Sequence, residues 1–402
     1  MNLNKLREHV REFLDQLVIQ WMASLLICLD EVCTLFRRLR KRGERLSDLE
    51  KPRDGDERAG KAQEAGQLER VLFDDGDQFV LVHLLDPLII TCVRFSPDGR
   101  SLAYASSDGT VTILDLKSAR PLCVFRAHRD WVTSVDWDPT GKRLASSSSD
   151  GTVQVWWAES GRTLFPPIVH HSEVRAVAWS PDGARLATTG ADHQIWIWPI
   201  GEGGDGIVTC AGHTGQVRAL AWSPCGMQLA SASKDWSVRL WDTGSGNTLH
   251  TWWHDGPVNA VAWSPDPESG LVASGSDDRL VRVWNTRTGK CDFTYTGHRD
   301  YAGISACAWS RPARIISADW NLTIQEWTRP CETQKALVSI VIPRPRVPLL
   351  DTGYIHTLAA HTTVAGTRLA LGGDCWMTIG ASPAEPRTML GDSSGGRVVL
   401  RP

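Results

Sequence analysis

The feature that most constrains the fold is a short phrase that recurs at nearly constant spacing. Phe95-Ser-Pro-Asp-Gly99 is followed by Trp137-Asp-Pro-Thr-Gly141, Trp179-Ser-Pro-Asp-Gly183, Trp222-Ser-Pro-Cys-Gly226, Trp263-Ser-Pro-Asp266 and a degenerate Trp309-Ser-Arg-Pro312. Their aromatic positions lie 42, 42, 43, 41 and 46 residues apart. A unit of that length cannot bury its apolar face alone, so successive units must stack on one another. The same repetition accounts for 19 Trp against 4 Tyr and 8 Phe, an excess that a single site could not absorb.

Inside one unit the pattern has period two. Val174, Ala176 and Ala178 alternate with Arg175, Val177 and Trp179, as expected of a strand buried on at least one face. Ser-Pro-Asp-Gly then makes a tight turn, in which Pro pre-sets φ and Gly supplies a positive φ. Residues 185–189 form a second strand, 191–193 a second turn, 194–198 a third strand and 207–210 a weaker fourth. A period of about 40–45 residues with four strands fits a propeller blade, and is too long for ankyrin or tetratricopeptide units. The expectation is an all-β, seven-bladed β-propeller of four-stranded antiparallel blades, preceded by an α-helical N-terminal segment. Its divisions are an amphipathic helical segment over 1–43, a flexible linker over 44–70 and the propeller over 71–402.

These residues resemble the WD-repeat β-propeller family over roughly 78–402, most clearly over 87–330. Gly212-His213 and Trp241-Asp242 match the family's Gly-His and Trp-Asp pairs, and other units drift to Ala127-His128, Trp198-Pro199 or Trp284-Asn285. The resemblance implies a four-residue lock in each blade, made of His, Ser/Thr, Asp and Trp. The matching sets are His128, Ser146, Asp150, Trp156; His170, Thr188, Asp192, Trp198; His213, Ser231, Asp235, Trp241; and His254, Ser274, Asp278, Trp284. A fifth set is His298, Ser317, Asn321 and Trp327, with Asn where Asp is usual. A carboxylate tied to imidazole, hydroxyl and indole satisfies every polar group within the blade. Five copies of Ser-His-Asp around a ring are a structural device and not a hydrolase triad.

The ends of the ring are less regular. The first unit, 86–123, has Asp86 for His, Tyr104 for Ser and Leu114 for Trp, and keeps only Asp108. A last unit starting at Asp351 would take strands from 354–360, 367–371 and 397–400, with 78–85 adding a fourth from the N-terminal side. Residues 375–389 receive no strand assignment, and an eighth irregular hairpin is the alternative closure. The fragments around His361 and 391–396 imitate protease motifs but stand only some 30 residues apart, leaving no room for a protease barrel.

Leu3, Leu6, Val10, Phe13, Leu17, Trp21, Leu25, Cys28, Val32, Leu35 and Leu39 recur at steps of three and four, a helical stripe suited to self-association or partner docking through 1–43. A net charge of −3 argues against a dedicated nucleic-acid binder. No stretch is long and apolar enough for a transmembrane segment. Ten cysteines without Cys-x-x-Cys or zinc spacing point to reduced thiols in a cytoplasmic protein. No cofactor, metal or catalytic set is expected.

By position in the family, the loops beside the lock His and Asp lie on one face, where partners dock. The candidates for a protein or peptide partner there are Trp131, Glu173, Gln216, Asp255 and Tyr301 beside the histidines, and Lys234, Trp236, Asp277, Arg279 and Trp320 beside the turn. The expected function is a non-enzymatic scaffold, as a sensor or assembly module of a signalling complex. The alternatives are the C-terminal sensor remnant of a larger signalling ATPase, or a propeller enzyme with a site in the channel mouth.

Overall fold

The computed structural model describes residues 68–72, 78–83 and 89–328, apart from 119, 127, 202–205, 299–301, 312 and 322, and then 338–341, 355–363, 366–373 and 376–382. All of them fall within one compact unit, 65–344 with 353–402. The helical segment expected over 1–43 lies outside the described residues.

Strands β1 (Leu68–Leu72) and β2 (Gln78–His83) open the chain's β-structure. Blade 1 follows with β3 (Ile90–Phe95), β4 (Ser101–Ser106), β5 (Thr110–Asp115) and β6 (Arg120–Arg126). Blade 2 holds β7 (Val132–Trp137), β8 (Arg143–Ser148), β9 (Thr152–Trp157) and a short β10 (Ile168–Val169). Blade 3 holds β11 (Val174–Trp179), β12 (Arg185–Gly190), β13 (Ile195–Pro199) and β14 (Val208–Cys210). Blade 4 is β15 (Val217–Trp222), β16 (Gln228–Ser233), β17 (Ser237–Asp242) and β18 (Thr248–Trp253). Blade 5 is β19 (Val258–Trp263), β20 (Leu271–Ser276), β21 (Val281–Asn285) and β22 (Lys290–Tyr295). Blade 6 is β23 (Ile304–Arg311), β24 (Arg314–Asp319), β25 (Thr323–Thr328) and β26 (Val338–Val341). In each blade the strands are antiparallel and ordered as in the sequence.

The chain ends in β27 (Ile355–Thr363), β28 (Gly366–Gly373) and β29 (Trp376–Ser382). These join the first two strands in a five-stranded sheet ordered β1-β2-β29-β28-β27. The expectation of seven four-stranded blades is thereby corrected: there are six, and the arc between blade 6 and blade 1 is taken by this five-stranded sheet. Two further strand assignments change with it. The third strand of the closing sheet is β29, within the stretch left unassigned, and not 397–400, which lies outside the described residues. The linker expected over 44–70 stops before Leu68, because β1 pairs with β2 in the register Leu68↔Val82. Val80↔Ile379 then carries the N-terminal pair onto the C-terminal strand.

Successive first strands β3, β7, β11, β15, β19, β23 and β27 pack side by side, and β27 packs back on β3, which closes the ring. The blades are cemented by apolar clusters that cross from one to the next. Trp137 and Trp156 of blade 2 share a cluster with Ala103, Val111 and Phe125 of blade 1. Leu358 of β27 sits among Ala306, Ile316, Ala318 and Ile324 of blade 6. Ala370 of β28 sits among Ile90, Val93, Leu102 and Leu114 of blade 1, so one sheet carries both halves of the closure. Four of the second strands carry small residues, as in Arg143–Ser148 and Gln228–Ser233, because they are buried between two neighbours. In blades 1–4 the turn that ends the first strand is tight; Gly99 has φ +65 and its N–H reaches Ser96 O at 2.8 Å.

Because Leu358 is 5% exposed at the closure, Leu358→Ala should lower unfolding free energy by about 2–5 kcal/mol, whereas Leu122→Ala, at a side chain 63% exposed on β6, should change it by no more than about 0.5 kcal/mol. Urea unfolding followed by circular dichroism measures both.

Candidate protein-interaction face

Antiparallel order puts two kinds of connection on each face of the ring. The loops entering the first strands and the turns between second and third strands share one face, and the Ser-Pro turns share the other. The locks lie just under the first of these faces.

In blade 4 His213 Nδ1 lies 2.8 Å from Asp235 Oδ2 and Nε2 lies 2.7 Å from Ser231 Oγ, which in turn accepts from Trp241 Nε1 at 2.8 Å. Blade 5 repeats this with His254, Asp278, Ser274 and Trp284, each step 2.8 Å long. Blade 2 is looser: His128 Nδ1 is 3.4 Å from Asp150 and 3.1 Å from Thr152 Oγ1, while Nε2 is 2.7 Å from Ser146 and Trp156 donates to Ser146 at 2.9 Å. The chain of donors fixes the tautomer: Nδ1–H donates to the carboxylate, and Nε2 accepts the hydroxyl proton.

Blades 3 and 6 depart from the expected sets. In blade 3 His170 meets Thr188 at 3.1 Å and Trp198 donates to Thr188 at 2.8 Å, but Asp192 turns away and accepts from Trp196 Nε1 at 3.1 Å. No hydrogen bond joins Asp192 to His170 among the described residues. In blade 6 the acid is Asp319 and not Asn321. His298 Nδ1 lies 2.9 Å from Asp319 Oδ2 and Nε2 lies 2.8 Å from Ser317 Oγ, with Trp327 donating to Ser317 at 3.4 Å. Asn321 only gives its backbone N–H to Asp319 Oδ1 at 2.9 Å. Asp319 occupies the strand-end position held by Ser148, Ser233 and Ser276 in blades 2, 4 and 5, so the carboxylate comes from two residues earlier.

Burial drives the imidazoles of His128, His170, His213 and His254 below their ordinary value, against the pull of the nearby carboxylates. For Asp150, Asp235 and Asp278 burial acts upward, but bonds from His, Ser/Thr and backbone N–H groups outweigh it and hold the carboxyls low.

Above the locks, the first strand of each of the six blades carries a β-bulge at the same place, after Ile90, Val132, Val174, Val217, Val258 and Ile304, as β27 does after Ile355. A bulge re-aims one side chain. In the six blades the residues so placed are Thr91, Thr133, Arg175, Arg218, Asn259 and Ser305. Thr133 Oγ1 donates to Val174 O of the next blade at 2.6 Å, and Asn259 Nδ2 donates to Ile304 O at 2.8 Å. Blades 3–5 build a longer network. Arg175 chelates Glu173 at 2.6 Å, Gln216 donates to Glu173 at 2.9 Å, and Arg218 pairs with Asn259 and faces Asp277 at 4.0 Å. Asp277 also accepts from Asn259 at 2.6 Å and from Trp320 Nε1 at 3.3 Å.

The second turns differ in the same way. In blades 1 and 2 the residue after Asp is Gly109 or Gly151, at φ +82 and +81; a Cβ on Gly109 would sit 2.8 Å from His128 O. In blades 3, 4 and 5 the same left-handed position holds His193 (φ +65), Trp236 (φ +72) and Arg279 (φ +72). Such a backbone costs an L-residue about 1–2 kcal/mol.

Of the candidates read from the sequence, Glu173 and Gln216 meet, as do Asp277 and Trp320. Trp131 and Trp236 are 45% and 50% exposed and stand apart from that network. Lys234 is exposed, Asp255 pairs with Arg282 at 3.1 Å, and Tyr301 lies outside the described residues. Arg175, Arg218, Asn259, His193 and the 60% exposed Trp253 were not among the candidates. Trp253 apart, their signal was positional: a polar residue second in the first strand, and a non-Gly after the turn Asp.

Residues 119–156, 162–199, 204–242, 246–285 and 289–328 match the family described as WD domain, G-beta repeat. Residues 85–137 match the Anaphase-promoting complex subunit 4 WD40 domain. The chain belongs to the WD-repeat β-propeller family. No curated protein matches it. Each of the five repeat matches begins near the outer strand of one blade and ends with the third strand of the next, so sequence repeats staple neighbouring blades. Propellers of this family are typical scaffolds for protein–protein interaction. Among the described residues no helix is long and apolar enough to cross a membrane.

Removing the blade 6 carboxylate should cost more than altering the residue first aligned with it: Asp319→Ala is expected to lose about 1–3 kcal/mol and Asn321→Ala less than about 1 kcal/mol, by urea unfolding. The pH dependence follows from the lowered His and Asp values. A His lowered in the fold lets the unfolded chain take protons first, so stability should fall as pH drops below about 6.5. A lowered Asp adds stability above its ordinary 3.8, so a second loss should begin below about pH 4. Thermal melts from pH 8 to pH 3 should show both, and a flat profile between pH 7 and pH 5 would contradict the neutral buried imidazoles.

Proposed function

We propose that this chain is a non-catalytic scaffold whose lock face binds a protein or peptide across blades 3–5, serving as a sensor or assembly module of a signalling complex. One observation carries the reading. Two unrelated positions, the bulge residue and the left-handed turn residue, are small in blades 1 and 2 and large in blades 3–5. The large side chains at the turn persist against a backbone penalty that Gly would remove, which is the pattern of positions held for contact rather than stability. In blade 4 Trp236 is 50% exposed and Trp253 60% exposed, and His254 N–H donates to Trp236 O at 2.9 Å. Large exposed aromatics beside Arg are the usual anchors of an interface.

Residues 1–43 would supply a second contact, pairing the scaffold with itself or a partner helix through the Leu/Val stripe. Free thiols at the described cysteines suit the cytoplasm.

The test compares affinity purification from native extract with wild type, Trp236→Gly plus Arg279→Gly, and Leu122→Asp on the outer rim. The double variant should be more stable by about 1 kcal/mol or more and should lose the partners that the rim variant keeps. Equal recovery by all three would sink the assignment of this face.

A further inference from the structure

The opposite mouth of the channel carries a site that the scaffold function does not use. The residue before each closing aromatic occupies one register position in all six blades: Arg94, Asp136, Ala178, Ala221, Ala262 and Ala308. Two adjacent blades therefore bring a charged pair to the channel wall, and the rest bring alanine. The space this leaves is a cavity of about 330 Å³, walled by the indoles of Trp179, Trp222 and Trp263 and the prolines that follow them, with Arg94 and Asp136 on one side.

Two polar groups serve this cavity. Arg94 Nε lies 3.8 Å from Asp136 Oδ1, too far for a hydrogen bond between them. Asp136 uses its other oxygen, Oδ2, to accept Trp179 N–H at 2.8 Å.

Charge and shape narrow the occupant. Arg94 and Asp136 sum to zero, so a full charge of either sign would meet a like charge. A cation would also approach rings already covered by Arg143 at 4.6 Å and Arg185 at 5.0 Å. A neutral ligand that shows a donor beside an acceptor satisfies both members of the pair. Walls of proline and Trp263 favour a ring, and the volume is at the lower end of small-molecule pockets. We propose that this cavity binds a small planar heteroaromatic with a lactam edge, of the nucleobase kind: its N–H donates to Asp136 and its C=O accepts from Arg94.

Uracil and guanosine are the probes, with 1,3-dimethyluracil as the control that keeps ring and carbonyls but has no N–H. Binding to the full chain is followed by saturation-transfer NMR and calorimetry. At least one probe should bind saturably, and dimethyluracil should not. Asp136→Asn should weaken the bound probe by about tenfold or more, since it turns an acceptor into a donor. Ala221→Phe should abolish binding by filling the cavity, with Ala178→Leu as the substitute if the first variant does not melt like wild type. Lack of binding by both probes, equal binding of dimethyluracil, or binding indifferent to both cavity-filling variants would each overturn the site. None of these outcomes bears on the lock face, because its variants lie at the other mouth.

Discussion

Leaving a buried imidazole half satisfied is costly, and the organisation of blades 2, 4, 5 and 6 follows from avoiding it, whereas His170 of blade 3 keeps only its hydroxyl partner among the described residues. His213 reaches a carboxylate on one side and a hydroxyl on the other only if the entering loop, the second strand and the second turn are all in register. The hydroxyl in turn ties down the third-strand Trp241, which is fully buried. One set of hydrogen bonds thus fixes the second and third strands of a blade, the turn between them and the loop arriving from the blade before. The cost of leaving any member unpaired in such an interior is larger than the worth of any single bond. That asymmetry explains why blade 6 keeps a carboxylate on His298 even though it comes from Asp319, on a different strand position.

Blade 1 shows what replaces the lock. Leu114 stands where Trp stands elsewhere, and Tyr104 where Ser or Thr stands; the blade is held by Ile90, Val93, Leu102 and Leu114 packed with Ala370 from the other end of the chain. Its neighbour across the closure, β27, brings Leu358 to blade 6. The locked blades get their cohesion locally, whereas the closing sheet gets it from pairing chain ends some three hundred residues apart. Such long-range pairing is late and entropically costly. It is also where the blade pattern gives way, with five strands in place of four.

What the sequence made legible follows the same division. The repeat, the turns and most lock residues could be read because each is set by spacing within one unit. Asp319 was missed because spacing pointed to Asn321, and only the register of β23 on β24 shows which residue faces His298. β29 and β1 were missed because no repeated phrase marks them; Trp376–Ser382 becomes a strand by pairing with β28 and β2, a fact of topology. The bulge residues were visible as letters but not as a set, since a polar residue second in a strand means little until six bulges are seen to aim it alike.

The two faces differ in how they depart from symmetry. A ring of equal blades would offer the same surface all round, and recognition requires that sameness to be broken at chosen positions. On the lock face the break is an addition: Arg175, Arg218 and Asn259 replace hydroxyls, and His193, Trp236 and Arg279 take a backbone that glycine holds next door. At the opposite mouth the break is mostly a subtraction, alanine around the cavity with Arg94 and Asp136 kept on one wall. None of these side chains makes one of the lock hydrogen bonds. The framework can hold its shape while each mouth is specialised separately, because the polar groups that fix the blades are already satisfied inside them.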